Sequence, residues 1–445
     1  MGVATGLSTG CLPESFRTGK LCLGMIGNQK LNVEGYSLKI VEEEIDEVLS
    51  EWWGCRAAQI QKTGVEDKSP LIHSLPDDVM KLIFAQLPRQ SLAKTRLVCS
   101  SWRRVAEDQD IASLRCKAIL QMDVAEGWIY VLPDFPQGAP FRAYDPIAAK
   151  WSVLPPTPRR SESQQWVGFA SVALGHKLLL IGGSRSKSDA ASNIHSTSVV
   201  CSDVIIYDAL TNKWRKGAKM NTPRSWFASS MIGGKVYVAG GQGNTRFLDS
   251  AEVYDPETDT WKVIASMAVQ RSNCEGVALD GQFWVIAGEY VKNHYNNSQR
   301  SSAEVYDAET DTWRFVPNMY MDDKKVMEPS AVVNGELICV HQKRVMAYNK
   351  TLNSWSQLGH INGGEVYARS FSRFGFACES VGSNLYIIGG TREYSQNRHR
   401  YCSALNSVEV CDLAAEKQSL SLRWNSGADM GGSRGTISAS CVAWL

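Results

Sequence analysis

"AEVYDPETDTW" occupies residues 251–261 and "AEVYDAETDTW" occupies residues 303–313, differing only at Pro256 against Ala308. An active site is normally built once, so near-verbatim repetition marks an architectural unit. Ala-Glu-Val-Tyr alternates small or apolar residues with polar or amphipathic ones, as a half-buried strand does. The Asp255-Pro256-Glu257-Thr258-Asp259 stretch then supplies turn chemistry, with Pro fixing its φ and Asp side chains bonding nearby amides. Trp261 opens the return strand, so the word spells a β-hairpin.

Weaker copies surround the two strong ones. Tyr144 precedes Trp151 by seven positions, as Tyr207 does Trp214, Tyr254 Trp261, Tyr306 Trp313 and Tyr348 Trp355. A sixth copy has Cys411-Asp412 with Trp424 thirteen positions on, hence a longer turn. Ahead of each hairpin lies an apolar run, usually ending in glycine: "KLLLIGG" (177–183), "KVYVAGG" (235–241), "QFWVIAG" (282–288), "NLYIIGG" (384–390). Glycine at a strand end permits positive φ and close backbone approach. "WIYVLPD" (128–134) and "ELICVHQ" (336–342) lack it, and their units are expected to be less regular.

Each unit holds about four strands and recurs every 42 to 69 residues from Trp to Trp, close to the period of a propeller blade. The glycine pair, the Tyr-Asp and the spaced Trp resemble kelch repeats. Six units imply a mainly β fold, a six-bladed kelch β-propeller over residues 116–445. A further strand precedes five units, and "RGTISASCVAWL" (434–445) has its pattern without a following unit. It is therefore expected to complete the first blade, with "CKAILQM" (116–122) as the alternative.

Before the propeller the texture becomes helical. In "SLPDDVMKLIFAQLPRQSLAKTRLVCSSWRRVAED" (74–108) Val79, Leu82, Ile83 and Leu87 share one face, and Pro88 ends that helix. Such short helices bury little core alone. They are either a cap on the propeller or a module sharing its apolar face with a partner. Leu75-Pro76, Ile83, Leu87-Pro88, Leu97-Val98-Cys99 and Trp102 resemble an F-box, placed here as in the plant F-box/kelch family. The resemblance implies a small all-α domain over 69–115 whose Leu75, Pro76, Ile83, Leu87, Val98, Cys99 and Trp102 meet a Skp-type adaptor and, through it, a cullin. It also implies a substrate receptor of an SCF-type ubiquitin ligase. Residues 1–68 read as an extension with an amphipathic helix over 36–58.

Composition agrees with an intracellular binding protein. At 44% hydrophobic, 21% charged and formal net charge +1, the chain has no general nucleic-acid signature. No apolar run approaches the length of a membrane span, and the N-terminal residues lack the basic region and continuous apolar core expected of a signal peptide. The scattered cysteines read as reduced thiols in the cytoplasm or nucleus. "GGSRG" (431–435) fits G-x-S-x-G around Ser433, yet a strand follows where a nucleophile elbow needs a helix. The histidines show no metal-ligand spacing, so no cofactor, metal or catalytic residue is expected. A kelch enzyme acting on a small metabolite and a scaffold outside any ligase are the alternatives.

Two features point to target recognition. The connections 184–202, 289–302 and 391–407 are long, polar and rich in Arg, Lys and Tyr. In the strands that open the blades, nine positions before the turn residues stand Arg224, Arg271, Lys325 and Arg373; Arg434 takes that place in the closing strand and Trp166 in another. Equal register puts these cations at one height around the axis. They either bond loop carbonyls or focus a positive potential on an acidic or phosphorylated target segment, with Trp226 adding apolar contact. The expectation is that the target docks over this ring.

Overall fold

The computed structural model describes residues 127–135, 139–158, 164–187, 198–289, 301–320, 328–341, 343–361, 371–396, 399–416 and 422–444, and ahead of these 32–33, 36–37, 81, 83–85, 95, 100–106, 111 and 114. Residues 1–118 and 119–445 form two compact units.

In the first unit a helix runs Ser100–Ala106. Phe84, Ala85, Thr95 and Ile111 are buried, and Trp102 meets Phe84 edge-on with ring centroids 5.0 Å apart. Asn32–Val33 pairs with Tyr36–Ser37 as a small hairpin. The helix expected over 36–58 is thus corrected at its first two residues, and its remainder lies outside the described residues.

The second unit is a six-bladed propeller. The middle blades follow sequence order: blade 3 joins Ala228–Ile232, Lys235–Ala239, Ala251–Asp255 and Thr260–Ile264 in antiparallel succession. Blade 4 repeats this with Glu275–Leu279, Gln282–Ile286, Ala303–Asp307 and Thr312–Val316, and blade 5 with Ser330–Val333, Glu336–His341, Arg344–Asn349 and Ser354–His360. Blade 2 holds Gln164–Leu174, Lys177–Lys187, Val204–Asp208 and Lys213–Gly217. Blade 6 holds Ala377–Val381, Asn384–Ile388, Val408–Asp412 and Asn425–Ser426. Blade 1 is closed from the far end of the chain: Arg434–Trp444 pairs with Gly127–Phe135, followed by Arg142–Asp145 and Lys150–Val153. The innermost strands touch in a closed circle, with Arg434–Trp444 against both Gln164–Leu174 and Ala377–Val381.

The repeated words now have physical meanings. Second strands such as Val236–Ala239, Phe283–Ile286 and Leu385–Ile388 are buried throughout, because both faces of each sheet pack on neighbouring blades. The Tyr hydroxyl donates to the Asx five residues on: Tyr254 to Asp259, Tyr306 to Asp311, Tyr207 to Asn212 and Tyr348 to Asn353, all within 2.7–2.8 Å. That Tyr also lies against its Trp, as in Tyr254–Trp261 at 5.2 Å. The Trp then reaches back one blade. Trp214 Nε1 donates to the Pro155 carbonyl, Trp261 to Ala218, Trp313 to Ala265, Trp355 to Met319 and Trp424 to His360. Trp151 donates to Ala428 of blade 6, so the clamp runs round the whole ring.

The glycine pairs let adjacent blades touch. Gly240 and Gly241 have φ of +69° and +96°, and a Cβ on Gly240 would stand 2.8 Å from the Arg271 carbonyl of the next blade. Blades 1 and 5, whose apolar runs end without glycine, carry register shifts at Leu132/Pro133, Pro133/Phe135 and Val345/Met346. The connection expected as a loop over 391–407 is instead mostly a hairpin, Thr391–Gln396 with His399–Ala404, extended by Phe371–Phe374. Much of the other two long connections lies outside the described residues, as does 116–122.

Candidate functional site

The glycine pairs, the starts of the innermost strands and the long connections lie at one end of the propeller, the end opposite the Asp-Pro-Glu-Thr-Asp turns. The basic register sits there, and its geometry corrects the expectation of a ring open to targets.

Arg224 is 0% exposed, Arg271 1% and Arg373 7%. Arg224 Nη1 donates to the carbonyls of Gly240 and Ser250, and Nη2 meets Glu252 Oε1 at 2.8 Å. Arg271 donates to Ala287 O, Ser302 O and Ser302 Oγ and pairs with Glu304 at 3.3 Å. Arg373 donates to Gly389 O and pairs with Glu409 at 2.6 Å. An acidic segment cannot reach these guanidiniums in the folded protein. Their charge is spent inside each blade, as the carbonyl-bonding alternative requires.

The partner of each arginine is the Glu of the "AEVYD" word or its equivalent. Burial pushes the Glu252 carboxyl up, but the hydrogen bond and charge of Arg224, with the amides of Asn221 and Thr222, hold it below its ordinary value. Burial lowers the Arg224 pKa, against the pull of Glu252. Sequence reasoning missed these glutamates, although a signal was present. Blades with Arg224, Arg271 and Arg373 carry Glu252, Glu304 and Glu409, whereas blade 2 replaces both members with Trp166 and Ile205. Trp166 Nε1 donates to Gly182 O at 2.9 Å, the same carbonyl position that the arginines hold. In blade 5 the Glu position is Met346; Lys325 lies outside the described residues.

Arg434 is a second correction. A blade-to-blade pattern recurs in which Gly183 N donates to Arg224 O, and Gly241 N to Arg271 O. At the closing seam Gly390 N donates to Gly435 O, and Gly435 N to Leu405 O as Arg271 N does to Leu248 O. The register position therefore belongs to Gly435. Arg434 is one residue early, and such a slip sends its side chain to the other face, where it is exposed. The Glu position of this blade is Arg142, which pairs with Val131, itself paired with Ser440, as Glu252 pairs with Val238 and Val238 with Ser229. Arg142 Nε donates to Ser433 Oγ at 2.9 Å. Ser433 is buried and the strand Arg434–Trp444 follows it directly.

Trp226 is 44% exposed at φ +55°, an uncommon conformation for a bulky residue. Its amide donates to Gly168 O of blade 2, its carbonyl accepts from Asn273 N of blade 4, and a Cβ on Gly168 would come 2.7 Å from its ring. Val167 and Phe374 are also exposed at this end. Of the adaptor residues, Ile83 and Trp102 are half-buried, with Trp102 packed on Phe84; Leu75, Pro76, Leu87, Val98 and Cys99 lie outside the described residues. Among the described residues no three His, Cys, Asp or Glu side chains could hold a metal ion, and no helix is long and apolar enough to cross a membrane.

Comparison with known proteins agrees with the two-unit reading. Residues 72–113 match the F-box domain model, and residues 140–348 match the KLHDC2/KLHL20/DRC7 Kelch-repeats domain model. Two F-box/kelch-repeat proteins of Arabidopsis thaliana are 27% and 29% identical, over 72% and 74% of this chain and 83% and 81% of theirs. The solved structure of YjhT superposes with a TM-score of 0.47 at 14% identity, over 63% of this chain and 96% of that one.

Proposed function

For this chain, an F-box protein with a kelch propeller, we propose the role of substrate-recognition subunit of an SCF-type ubiquitin-protein ligase, working in the cytoplasm or nucleus. The F-box, through Leu75, Pro76, Ile83, Leu87, Val98, Cys99 and Trp102, binds the Skp-type adaptor and through it a cullin. The propeller captures the target at its glycine end. The observation that carries this reading is the union of an F-box match with a propeller on one chain.

The mechanism is non-catalytic. Holding a target's lysines near a charged ubiquitin-conjugating enzyme raises their effective concentration without supplying chemical groups. A propeller suits that task because the Trp clamps and the buried Arg–Glu pairs fix the blades rigidly while the connections at one end vary. Exposed Trp226, held strained over Gly168, offers a rigid apolar anchor of the kind that dominates binding energies. Co-purification of adaptor and cullin with the intact chain, lost on deletion of residues 74–108, tests the role. Turnover of a small molecule by the propeller in the absence of adaptor binding would replace it with an enzymatic one.

A further inference from the structure

At the glycine end the innermost strands are joined around the central channel by backbone bonds between equivalent residues. Trp226 N donates to Gly168 O, Asn273 N to Trp226 O and Ile437 N to Gly375 O, each at 2.7 Å. Gly168, Trp226, Asn273 and Gly375 hold φ of +63°, +55°, +57° and +63°. Glycine and asparagine tolerate that conformation, and a bulky residue in it is uncommon. Trp226 is the outlier of this rim, and its ring is exposed beside Gly168. Val167 and Phe374, each one residue ahead of a rim glycine, are exposed as well. The channel mouth therefore carries large apolar side chains from blades 2, 3 and 6.

Below the rim the chemistry changes. The described innermost strands carry two carboxylates, Glu275 and Glu379, half-buried among small residues such as Ser229, Gly276, Ser330 and Ser440. Their one cation, Arg434, opens its strand three residues before Ile437. Ser330 Oγ lies 3.5 Å from Glu275 Oε1, Ser440 lies beside Glu379, and among the described residues neither carboxylate pairs with a cation. Burial pushes both carboxyls up to about 7, and in Glu275 the charge of Glu379 adds to the effect. A carboxylate taken from water without a counter-charge gains from a cation brought to it. Glu275 stands two residues past Asn273, about 7 Å below the rim at strand rise.

We propose that the apolar rim and the acidic channel beneath it receive a lysine or arginine side chain of the target, an inference that rests on the propeller capturing its target at this end. The apolar stem of the side chain lies against Trp226, Val167 and Phe374, and its charged head points down the channel to Glu275 and Glu379. Apolar stem and charged head match apolar rim and acidic channel in the same order along the axis. A purely apolar side chain would cover the rim and leave the carboxylates uncompensated, and an acidic one would meet like charge. The strained backbone at Trp226 then has a use, since it holds an aromatic ring at the mouth where blades 2 and 6 have only glycine.

The test mixes the full chain with a Skp-type adaptor and adds fluorescent peptide pools of random flanks around a fixed central lysine, arginine, acetyl-lysine or glutamate. Fluorescence polarisation should place the lysine and arginine pools at least about fivefold tighter than acetyl-lysine, which keeps the stem and loses the charge, with glutamate weakest. Glu275→Gln with Glu379→Gln should erase that preference, and it keeps the fold because it removes charges that burial disfavours. Trp226→Gly, which copies Gly168 and Gly375, should weaken the lysine and arginine pools at least about threefold. Equal or absent binding of all pools, a glutamate preference, or a lysine preference untouched by either variant overturns the proposal. Adaptor binding, read on the same samples, separates the two claims: lysine preference without adaptor binding refutes the ligase role alone, and adaptor binding without lysine preference refutes the channel site alone.

Discussion

Changing Glu252 to Gln removes one charge from the most enclosed ion pair among the described residues. Glu252 and Arg224 are both 0% exposed, and their side chains meet at 2.8 Å. The Glu252 oxygens also accept from Asn221 N at 2.7 Å, Asn221 Nδ2 at 3.0 Å and Thr222 N at 2.9 Å. A glutamine amide keeps one acceptor and sets its NH2 against donors, while the guanidinium stays buried without its counter-charge. Removing one partner of such a pair costs about 3–5 kcal/mol. With an unfolding entropy of about 2.1 cal/mol/K per residue, a unit of ~330 residues should lose about 4 to 7 °C in Tm by calorimetry. The double variant Arg224→Trp with Glu252→Ile, which copies Trp166 and Ile205 of blade 2, should lose less than Glu252→Gln alone. A Glu252→Gln protein that melts like the wild type yet no longer captures its target would refute the structural role of the pair and restore Arg224 to recognition.

Other outcomes follow from the same geometry. Leu75→Ala with Pro76→Ala should weaken adaptor binding by roughly thirtyfold, about 2 kcal/mol, in a titration, leaving the propeller melt unchanged. Trp261→Phe keeps most of the packing but leaves the Ala218 carbonyl without its indole donor, and should cost about 1–2 kcal/mol by denaturant unfolding. On the innermost strands, burial and then the charge of Glu379 push the Glu275 carboxyl up to about 7, and burial pushes Glu379 up to about 7. Raised carboxyl pKa values favour the folded state while protonated. Stability from these groups is therefore present near pH 4 and lost as pH rises to about 7, on the order of 2 kcal/mol each after allowance for solvent screening. Glu275→Gln with Glu379→Gln should flatten that part of the Tm–pH profile.

The hairpin word made the blades legible because strand alternation, turn chemistry and the Tyr–Trp spacing are all local. The glycine pairs were read rightly as points of close approach, and Gly240 against the Arg271 carbonyl is one such point. The basic register shows where sequence reasoning stops. Counting residues placed Arg224, Arg271 and Arg373 at one height but said nothing of whether guanidiniums face water or a glutamate two strands away. The count at Arg434 also missed by one residue, because the position equivalent to the turn residue Gly233 is Trp444 rather than Ala443. Arg142 looked like an ordinary strand residue until pairing put it in the glutamate position. Such facts live in tertiary contacts, and the covariation of Arg with Glu from blade to blade was their trace in the sequence.

The central claim is tested most directly by affinity capture from cells with the proteasome and cullin neddylation blocked, comparing the intact chain with one lacking residues 74–108. The intact chain should bring down adaptor, cullin and a target that accumulates under the block, and the deleted chain should keep the target while losing adaptor and cullin. Recovery of no adaptor or cullin with the intact chain, or their undiminished recovery with the deleted one, would contradict the assignment.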